Sequence, residues 1–467
     1  MKRIDPTFAK NIFYAFFAQG ISLCLSVFMS LIVPKVLGVE QYSYWQLFIF
    51  YVSYVGFFHF GLNDGVYLRL GGIDYEKLDY PVLAGEMRIL FYVEILIAGT
   101  ISVAVNFMDI ALERKYILFF TSVYLVVSNV SLFLGYIFQA VNMTKVYSMS
   151  VIFDRVLVIV SFVILVSLHV KEFYIYVIFY TVSKFSSLLY CAVKGRELIF
   201  SRGVSFKSSF SWVKRDILTG INITVANIAG NFILGIGRVV VDHRWGIESF
   251  GKFSFSLSLT SFFLLFISQV SMVLFPALRK VNESKVKAAY VKLRFLVSVL
   301  LPCAFVAYIP MKIFLVGWLP AYKESLRYMV LLLPICTFDG KMQLLCNTYL
   351  KVLRKERKLL WNNVAALAVS VAACLFSGYV LDNVLAVAIA MVLAIAVRSI
   401  LSELYLGGVM GVRLGMQIFM ECAFVALFVT VTWFLDDLPA FLLTLAGFAF
   451  YAVCSVGYYR KEERKHV

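Results

Sequence analysis

Long apolar runs, each interrupted at its ends by charged residues, Gly or Pro, follow one another along the whole chain. Most contain about 20 residues, the length that an α-helix needs to cross the hydrocarbon core of a bilayer. The pattern predicts an all-α, polytopic membrane protein with about fourteen transmembrane helices, an even number that returns both termini to one side. The predicted spans are 11–33, 43–62, 89–108, 116–140, 151–168, 173–193, 216–241, 250–275, 290–310, 326–349, 360–380, 384–405, 416–434 and 438–458.

Composition agrees with this fold class. Hydrophobic residues make up 62% of the chain and charged residues 15%, and the mean hydropathy is +0.88, which excludes a water-soluble globule. The basic N-terminal segment precedes a run of full spanning length and lacks a small-residue cleavage pattern, so it predicts a first transmembrane helix and not a removed signal peptide. The eight cysteines occur singly, as buried hydrophobic residues would.

The distribution of Lys and Arg predicts how the helices are oriented. If the N-terminus lies inside, 30 of the 43 basic residues fall in inner segments, 9 in outer segments and 4 within spans. Because cytoplasmic loops carry an excess of Lys and Arg, this bias predicts that both termini are cytoplasmic. Membrane topology thereby explains the formal charge of +16, and we expect no nucleic-acid partner.

A short pattern occurs twice, at 36–45 and at 244–253, with an offset of 208 residues. In both copies a Gly (Gly38, Gly246) is followed by a β-branched residue, a Glu (Glu40, Glu248) and an aromatic residue. The first copy connects spans one and two and the second connects spans seven and eight, both on the predicted outer side. The glutamates are expected to cap the helices that follow, and the two glycines to lie where parts of the molecule separate and close.

The two copies of the pattern lie six helices apart and have the same orientation, which indicates a parallel repeat. In such a repeat the substrate is expected at the interface between the halves. We predict an N-terminal lobe over 1–200 (helices 1–6) and a C-terminal lobe over 201–410 (helices 7–12). The long basic connection at 194–215 would separate them. Two extra helices and a basic cytoplasmic tail, 411–467, have no counterpart in the repeat.

Polar side chains form stripes on the two spans that precede the repeated pattern. Gln19 in the first span and Asn227, Asn231 and Arg238 in the seventh each recur at helical spacing with other polar residues. One interpretation is contact between packed helices, since such residues often bond across membrane helices. The other is a hydrated central cavity, which Arg238 favours because a cation facing lipid is costly.

Three further cations, Lys184, Lys341 and Arg398, lie inside predicted spans. Each could be held in an internal salt bridge or could extend to a helix end. Together they would instead give the cavity a positive charge that favours a substrate bearing phosphate. Asp339 lies only two residues from Lys341, so the two side chains diverge around a helix and should not pair directly.

The sequence from Phe60 to Arg69 closes the second span at its inner end. Its glycines permit a tight exit from the helix, and we expect Asp64 and Arg69 to pair across the turn. A cytoplasmic hinge is the favoured role, ahead of substrate contact. Enzyme signatures such as G-x-S-x-G, a P-loop or H-x-x-x-H are missing from the sequence, so no catalytic residue, cofactor or metal is expected.

Four features carry a family resemblance. They are Lys10-Asn11 opening the first span, 36–42 after it, Phe60-Gly61-Leu62 with Arg69 closing the second, and 275–278 closing the eighth. Over about the first 410 residues they resemble bacterial oligosaccharide flippases of the Wzx type, the polysaccharide exporter branch of the multidrug/oligosaccharidyl-lipid/polysaccharide superfamily.

This resemblance implies a V-shaped, alternating-access transporter in the bacterial inner membrane, made of two six-helix lobes. Its substrate would be an undecaprenyl-diphosphate-linked repeat unit of O-antigen or capsule, moved to the outer leaflet with proton or sodium coupling. Membrane lipid, a polysaccharide polymerase and a chain-length regulator would be its partners. The alternatives are a multidrug/cation antiporter of the same superfamily, and a membrane enzyme of glycan assembly, such as a polymerase or an acyltransferase.

Overall fold

The computed structural model describes residues 6–279, 283–353 and 355–463, which form helices joined by short turns and contain no strand. The predicted all-α class is therefore confirmed for the described chain. Some basic residues used to orient the helices, among them Lys2, Arg3, Arg464 and Lys465, lie outside the described residues. The side chains of Lys10 and Asn11 and those of 275–278, which carry part of the family resemblance, are also outside the described part.

Eleven described helices are long and apolar enough to cross a membrane, and thirteen if each of two bent helix pairs counts as one span. Every predicted span falls on one of these helices, so a multi-pass membrane protein is confirmed. The predicted spans 216–241 and 250–275 share one helix, Phe206–Arg279, which contains a non-helical break at Gly246. The total of fourteen, and the cytoplasmic position of both ends, stay predictions.

The chain divides into two compact units, residues 1–228 and 229–467. The described part of unit 1 contains nine α-helices, the last of which continues into unit 2. These are α1 (Pro6–Leu31), α2 (Val33–Val52), α3 (Leu62–Leu70), α4 (Tyr80–Phe107), α5 (Leu112–Ala140), α6 (Thr144–Ser167), α7 (Phe173–Lys194), α8 (Arg196–Phe200) and the first part of α9 (Phe206–Arg279). In one hydrophobic cluster of this unit, aliphatic side chains of α3, α4 and α5 pack around Val66 and Phe133.

The described part of unit 2 contains the rest of α9 and nine further α-helices. These are α10 (Glu283–Leu300), α11 (Cys303–Trp318), α12 (Lys323–Leu332), α13 (Pro334–Lys341), α14 (Asn347–Val352), α15 (Glu356–Leu375), α16 (Val384–Met410), α17 (Gly415–Phe434) and α18 (Asp437–Glu463). A π-helical turn, Met342–Cys346, joins α13 to α14. The apolar core of the unit centres on α16, whose residues Ala394 and Met391 are fully buried.

The division between the units lies later than the predicted boundary at residue 200. The first part of α9 belongs to unit 1 because it packs against the turn before α3: a side chain on Gly220 would meet the carbonyl of Gly61 at 2.1 Å. The last two helices belong to unit 2. α17 and α18 pack on α10, α11 and α12, and Phe305 of α11 stacks on Phe428 of α17 with ring centroids 4.6 Å apart.

Candidate functional site

The two repeated glycines have nearly the same backbone conformation. Gly38 has φ 74° and ψ −179°, and Gly246 has φ 79° and ψ −177°. This region is essentially restricted to glycine, and in each case it breaks an otherwise continuous helix. Glu40 and Glu248 are exposed and are the second residues after the two breaks. The structure therefore repeats the same elbow 208 residues apart, whereas capping by the glutamates and a role in gating stay predictions.

The sequence 60–69 forms a sharp bend. The helix pair Val33–His59 and Leu62–Leu70 is bent by 59°, and Phe60 and Gly61 both have positive φ angles. The bend is stabilised locally because the backbone N–H of Gly61 donates to His59 Nδ1 at 3.0 Å. It is stabilised at longer range by α9, where the hydroxyl of Thr224 donates to Asp64 Oδ2 at 2.5 Å.

Arg69 does not pair with Asp64, so the predicted ion pair across this turn is wrong. The two residues are five apart in α3, where successive residues rotate by about 100°, so their side chains leave the helix in different directions. Arg69 instead contacts Glu86 of α4 at 2.6 Å and Asp216 of α9 at 2.8 Å. Its guanidinium also lies 4.9 Å from the ring centroid of Trp212.

Glu86 and Asp216 are buried, with 0% and 2% of their side chains exposed, whereas Arg69 is 20% exposed. One guanidinium therefore joins three helices of unit 1 at the predicted cytoplasmic ends of the spans. Close backbone packing surrounds it: a Cβ on Gly65 would lie 2.0 Å from the carbonyl oxygen of Asp216. The arrangement ties α3 to α9 and agrees with a structural role for Arg69, while hinge or gating motion stays a prediction.

A buried network of charges lies in unit 2. Lys341 Nζ is 2.7 Å from Glu403 Oε2 and 2.6 Å from Glu421 Oε2, and Arg294 Nε is 2.5 Å from Glu403 Oε1. All four side chains are at most 3% exposed. Two cations thus face two carboxylates, so the network can be neutral in a place where an isolated charge would be very costly.

Arg398 forms a second buried ion pair in the same unit, with Asp339. Asp339 also accepts a hydrogen bond from Gln343 Nε2 at 2.7 Å. The expectation that Asp339 and Lys341 do not pair is confirmed, since each has a different partner. Arg398 lies close to α9, because a Cβ on Gly230 would be 3.3 Å from its guanidinium nitrogen.

Lys184 of α7 is largely buried, and its Nζ lies 3.9 Å from Asp154 Oδ2 on α6. The neighbouring Arg155 approaches the same carboxylate at 3.9 Å and donates to Tyr180 Oη at 3.4 Å. Two cations therefore share one carboxylate, each at 3.9 Å, a longer separation than those in the networks of unit 2. This cluster is held less tightly than the networks of unit 2.

Arg238 is half-buried on α9. Its Nε donates to Ser254 Oγ at 3.0 Å, and its guanidinium lies 5.4 Å from the ring centroid of Phe250. On the same helix Asn227 and Asn231 are exposed, although both lie within a predicted span. Polar side chains exposed at this depth favour a hydrated surface over lipid.

Gln19 on α1 is half-buried. Two serines of its stripe, Ser22 and Ser26, donate to the carbonyls of Ala18 and Ser22 on their own helix. Those two hydroxyls are satisfied within α1, so helix-helix contact is not needed to explain them. Substrate binding by Gln19, Asn227, Asn231, Arg238, Lys184, Lys341 and Arg398 stays a prediction.

Three participants escaped the sequence analysis. Glu86 lies just outside the predicted span 89–108, and Arg294 and Asp216 lie at the ends of the predicted spans 290–310 and 216–241. The sequence does contain an indication of these networks. Three acids of the C-terminal half, Asp339, Glu403 and Glu421, lie within predicted spans, and they are enough to neutralise the buried bases of that half.

Known proteins with a similar fold were found among solved structures. No protein-family model and no curated protein matches the sequence, but solved structures do. The lipid II flippase MurJ in an inward closed conformation matches with a TM-score of 0.64 at 12% identity, covering 96% of this chain and 99% of that one. This chain has the fold of the MOP-superfamily transporters.

Structures of multidrug resistance MATE transporters share the fold. An inward-facing one has a TM-score of 0.59 at 13% identity and covers 86% of this chain and 98% of its own. A MOP-superfamily transporter from Pyrococcus furiosus, described by the reverse polarity of its binding pocket, has a TM-score of 0.55 at 12% identity, covering 88% and 97%. Their fold agrees with the fold that the sequence resemblance implies.

Proposed function

We propose that this protein is a flippase for lipid-linked oligosaccharides, moving undecaprenyl-diphosphate-linked repeat units from the cytoplasmic to the outer leaflet of the bacterial inner membrane. The observation that carries the proposal is the extent of the likeness to the lipid II flippase, 96% of this chain compared with 86% for the inward-facing MATE structure. At these identities the likeness concerns the fold, so the substrate class rests on the sequence resemblance and on the polar residues of α9.

The extra helices α17 and α18 support this choice because they are built into unit 2. Glu421 of α17 completes the buried network through Lys341, and Lys312 of α11 is 2.5 Å from Asp437 at the start of α18. α17 is thus joined to unit 2 by a buried ion pair and α18 by a partly exposed one. The flippase assignment therefore accounts for the whole chain, including α17 and α18.

Arg238, Asn227 and Asn231 are the first candidates for contact with the substrate. A guanidinium such as that of Arg238, which contacts the Ser254 hydroxyl and the Phe250 ring, suits a diphosphate, and exposed amides suit sugar hydroxyls. Gln19 of α1 stays a further candidate for contact with a sugar hydroxyl. Lys184, Lys341 and Arg398 are held by carboxylates, so each would have to exchange its partner in order to bind an anion.

The test is complementation in the bacterium that carries this protein. The gene is deleted, the wild-type chain or Arg238→Ala is returned, and both surface polysaccharide and the amount of protein in the membrane are measured. We expect the deletion to remove the polysaccharide, the wild type to restore it and Arg238→Ala to fail at normal protein levels. Arg244→Ala is the matched control, because Arg244 is on the same helix but pairs with Asp382 at the surface.

Full surface polysaccharide in the deletion strain would reject the flippase assignment, and full restoration by Arg238→Ala would reject the proposed site. The fold likeness to MATE transporters supports a second candidate, a multidrug/cation antiporter. It predicts proton- or sodium-driven efflux of cationic drugs from vesicles, together with unchanged polysaccharide in the deletion strain.

A further inference from the structure

A groove runs along the surface of unit 1 between α6 and α7. Its volume is about 430 Å³, which is within the usual range of ligand-binding pockets. The α6 wall consists of Phe153, Val156, Leu157 and Val160, which recur at helical spacing and share one face of that helix. The ring of Phe153 meets that of Tyr190 on α7 with centroids 5.0 Å apart, so the two walls of the groove are in contact.

The groove is lined by apolar groups although it is open at the surface. Val160 on α6 and Leu189 and Val193 on α7 are 49%, 56% and 62% exposed. Ser186 also lines the groove, but its hydroxyl donates to the carbonyl of Ser183 at 2.6 Å and is satisfied within α7. An exposed apolar surface on membrane-spanning helices is a surface for lipid chains, in contrast to the polar face of α9.

The position of the groove matches one leaflet of the bilayer. Residues 153–160 of α6 and 186–193 of α7 each cover about 10 Å along their helices. Both segments lie in the halves of the predicted spans 151–168 and 173–193 that are nearer the predicted cytoplasmic side. The hydrocarbon core is about 30 Å thick, so one leaflet takes up about half of that. The groove therefore has the length of most of one acyl chain.

Two cations stand at the cytoplasmic end of the groove. Lys194 ends α7 directly after Val193 of the groove wall, and Arg196 begins α8. Both side chains are exposed, and neither pairs with a carboxylate in the described part of the chain. The neighbouring acid, Glu197, lies beside Tyr80 of α4 instead. An apolar groove that ends at two basic side chains is complementary to a molecule with an acyl chain and an anionic headgroup.

We propose that the groove between α6 and α7 binds an anionic glycerophospholipid from the predicted cytoplasmic leaflet. One acyl chain lies between the helices, and the phosphate contacts Lys194 and Arg196. An undecaprenyl chain is much longer than an acyl chain, so a groove confined to one leaflet favours the phospholipid. The site lies within unit 1 and does not depend on the proposed transport function.

The experiment compares two lipids that have identical acyl chains, phosphatidylglycerol and the zwitterionic phosphatidylcholine. Native mass spectrometry of the purified full-length protein, released from detergent, counts the bound lipid molecules as each lipid is titrated. We expect one phosphatidylglycerol molecule to bind about tenfold or more tightly than phosphatidylcholine. Lys194→Gln/Arg196→Gln should remove this preference, because each basic residue near an anionic group contributes about fivefold.

Two control variants separate the site from general effects. Lys171→Gln removes an exposed cation at the opposite end of the α6–α7 pair, and it should keep the preference for phosphatidylglycerol. Val156→Trp places an indole in the groove and should weaken binding of both lipids by about tenfold or more. Leu96→Trp, at a 70% exposed position of α4, is the matched control and should bind like the wild type.

Equal affinity of the wild type for the two lipids would overturn the proposal. An undiminished preference in the folded Lys194→Gln/Arg196→Gln variant would do so too, as would normal lipid binding by Val156→Trp. Undecaprenyl phosphate is added as a competitor: if it displaces phosphatidylglycerol at equal concentration, the groove holds the isoprenoid chain and the phospholipid assignment is wrong. Lipid binding is measured without export, so failure of the flippase assignment leaves this result unaffected.

Discussion

Replacement of Lys341 by Met tests whether the buried network of unit 2 is structural. Met has a similar length and no charge, so the change removes the ammonium with little loss of volume. Glu421 would then have no cation within 4 Å in the described chain, whereas Glu403 would keep Arg294 at 2.5 Å. Leaving one member of a buried ion pair uncompensated costs about 3–5 kcal/mol.

A domain of about the size of unit 2 loses about 2–4 °C in Tm per kcal/mol, so we expect Lys341→Met to lower Tm by roughly 10 °C. The assay is thermal unfolding of the purified protein in detergent, followed by intrinsic fluorescence. Lys312→Met is the matched control in the same unit, because Lys312 and Asp437 are 30% and 44% exposed. A partly exposed pair contributes at most about 1 kcal/mol, so this control should change Tm little.

The double variant Lys341→Met/Glu421→Gln provides a second check. It removes both members of one pair and leaves Arg294 with Glu403, so the remaining charges balance. We expect it to recover at least half of the lost Tm, since a neutral buried pair replaced by uncharged side chains costs little. If Lys341→Met unfolds like the wild type but abolishes transport, the ammonium serves the substrate and our reasoning about the network is wrong.

Two glycine substitutions test the backbone. Gly246→Ala should destabilise the protein by about 1–3 kcal/mol because alanine disfavours φ 79°; Gly99→Ala, equally open but helical, is the control, and equal melting of the two would show that the elbow tolerates a side chain. Gly65→Ala should cost about 1–3 kcal/mol or more, since its Cβ would be 2.0 Å from the Asp216 carbonyl. Gly56→Ala, with open space around it, should leave thermal unfolding unchanged, and a stable Gly65→Ala would contradict the packing of α3 on α9.

The fold was largely predictable because its strongest determinants are local. The bilayer demands about 20 apolar residues for each span, and this demand is visible in any window of the sequence. The repeated elbow was also visible, since only glycine adopts the conformation seen at Gly38 and Gly246, and both are followed by the same residue types.

The partners of the charged residues could not be predicted from the sequence. Arg69 meets Asp216 from 147 positions away, and Lys341 meets Glu421 from 80. Such pairings depend on which helix faces pack together, and periodicity alone does not determine that. Counting buried acids against buried bases would have predicted neutral networks, though not their members.

The place of Glu421 has a consequence for how the protein is made. Translation produces Arg294, Lys341 and Glu403 before Glu421, so until α17 enters the membrane these three residues carry one positive charge in excess. Insertion of α17 supplies the missing negative charge. A shortened gene ending after α16 would still encode every helix of the predicted twelve-helix repeat, yet we expect its product to be degraded in the cell.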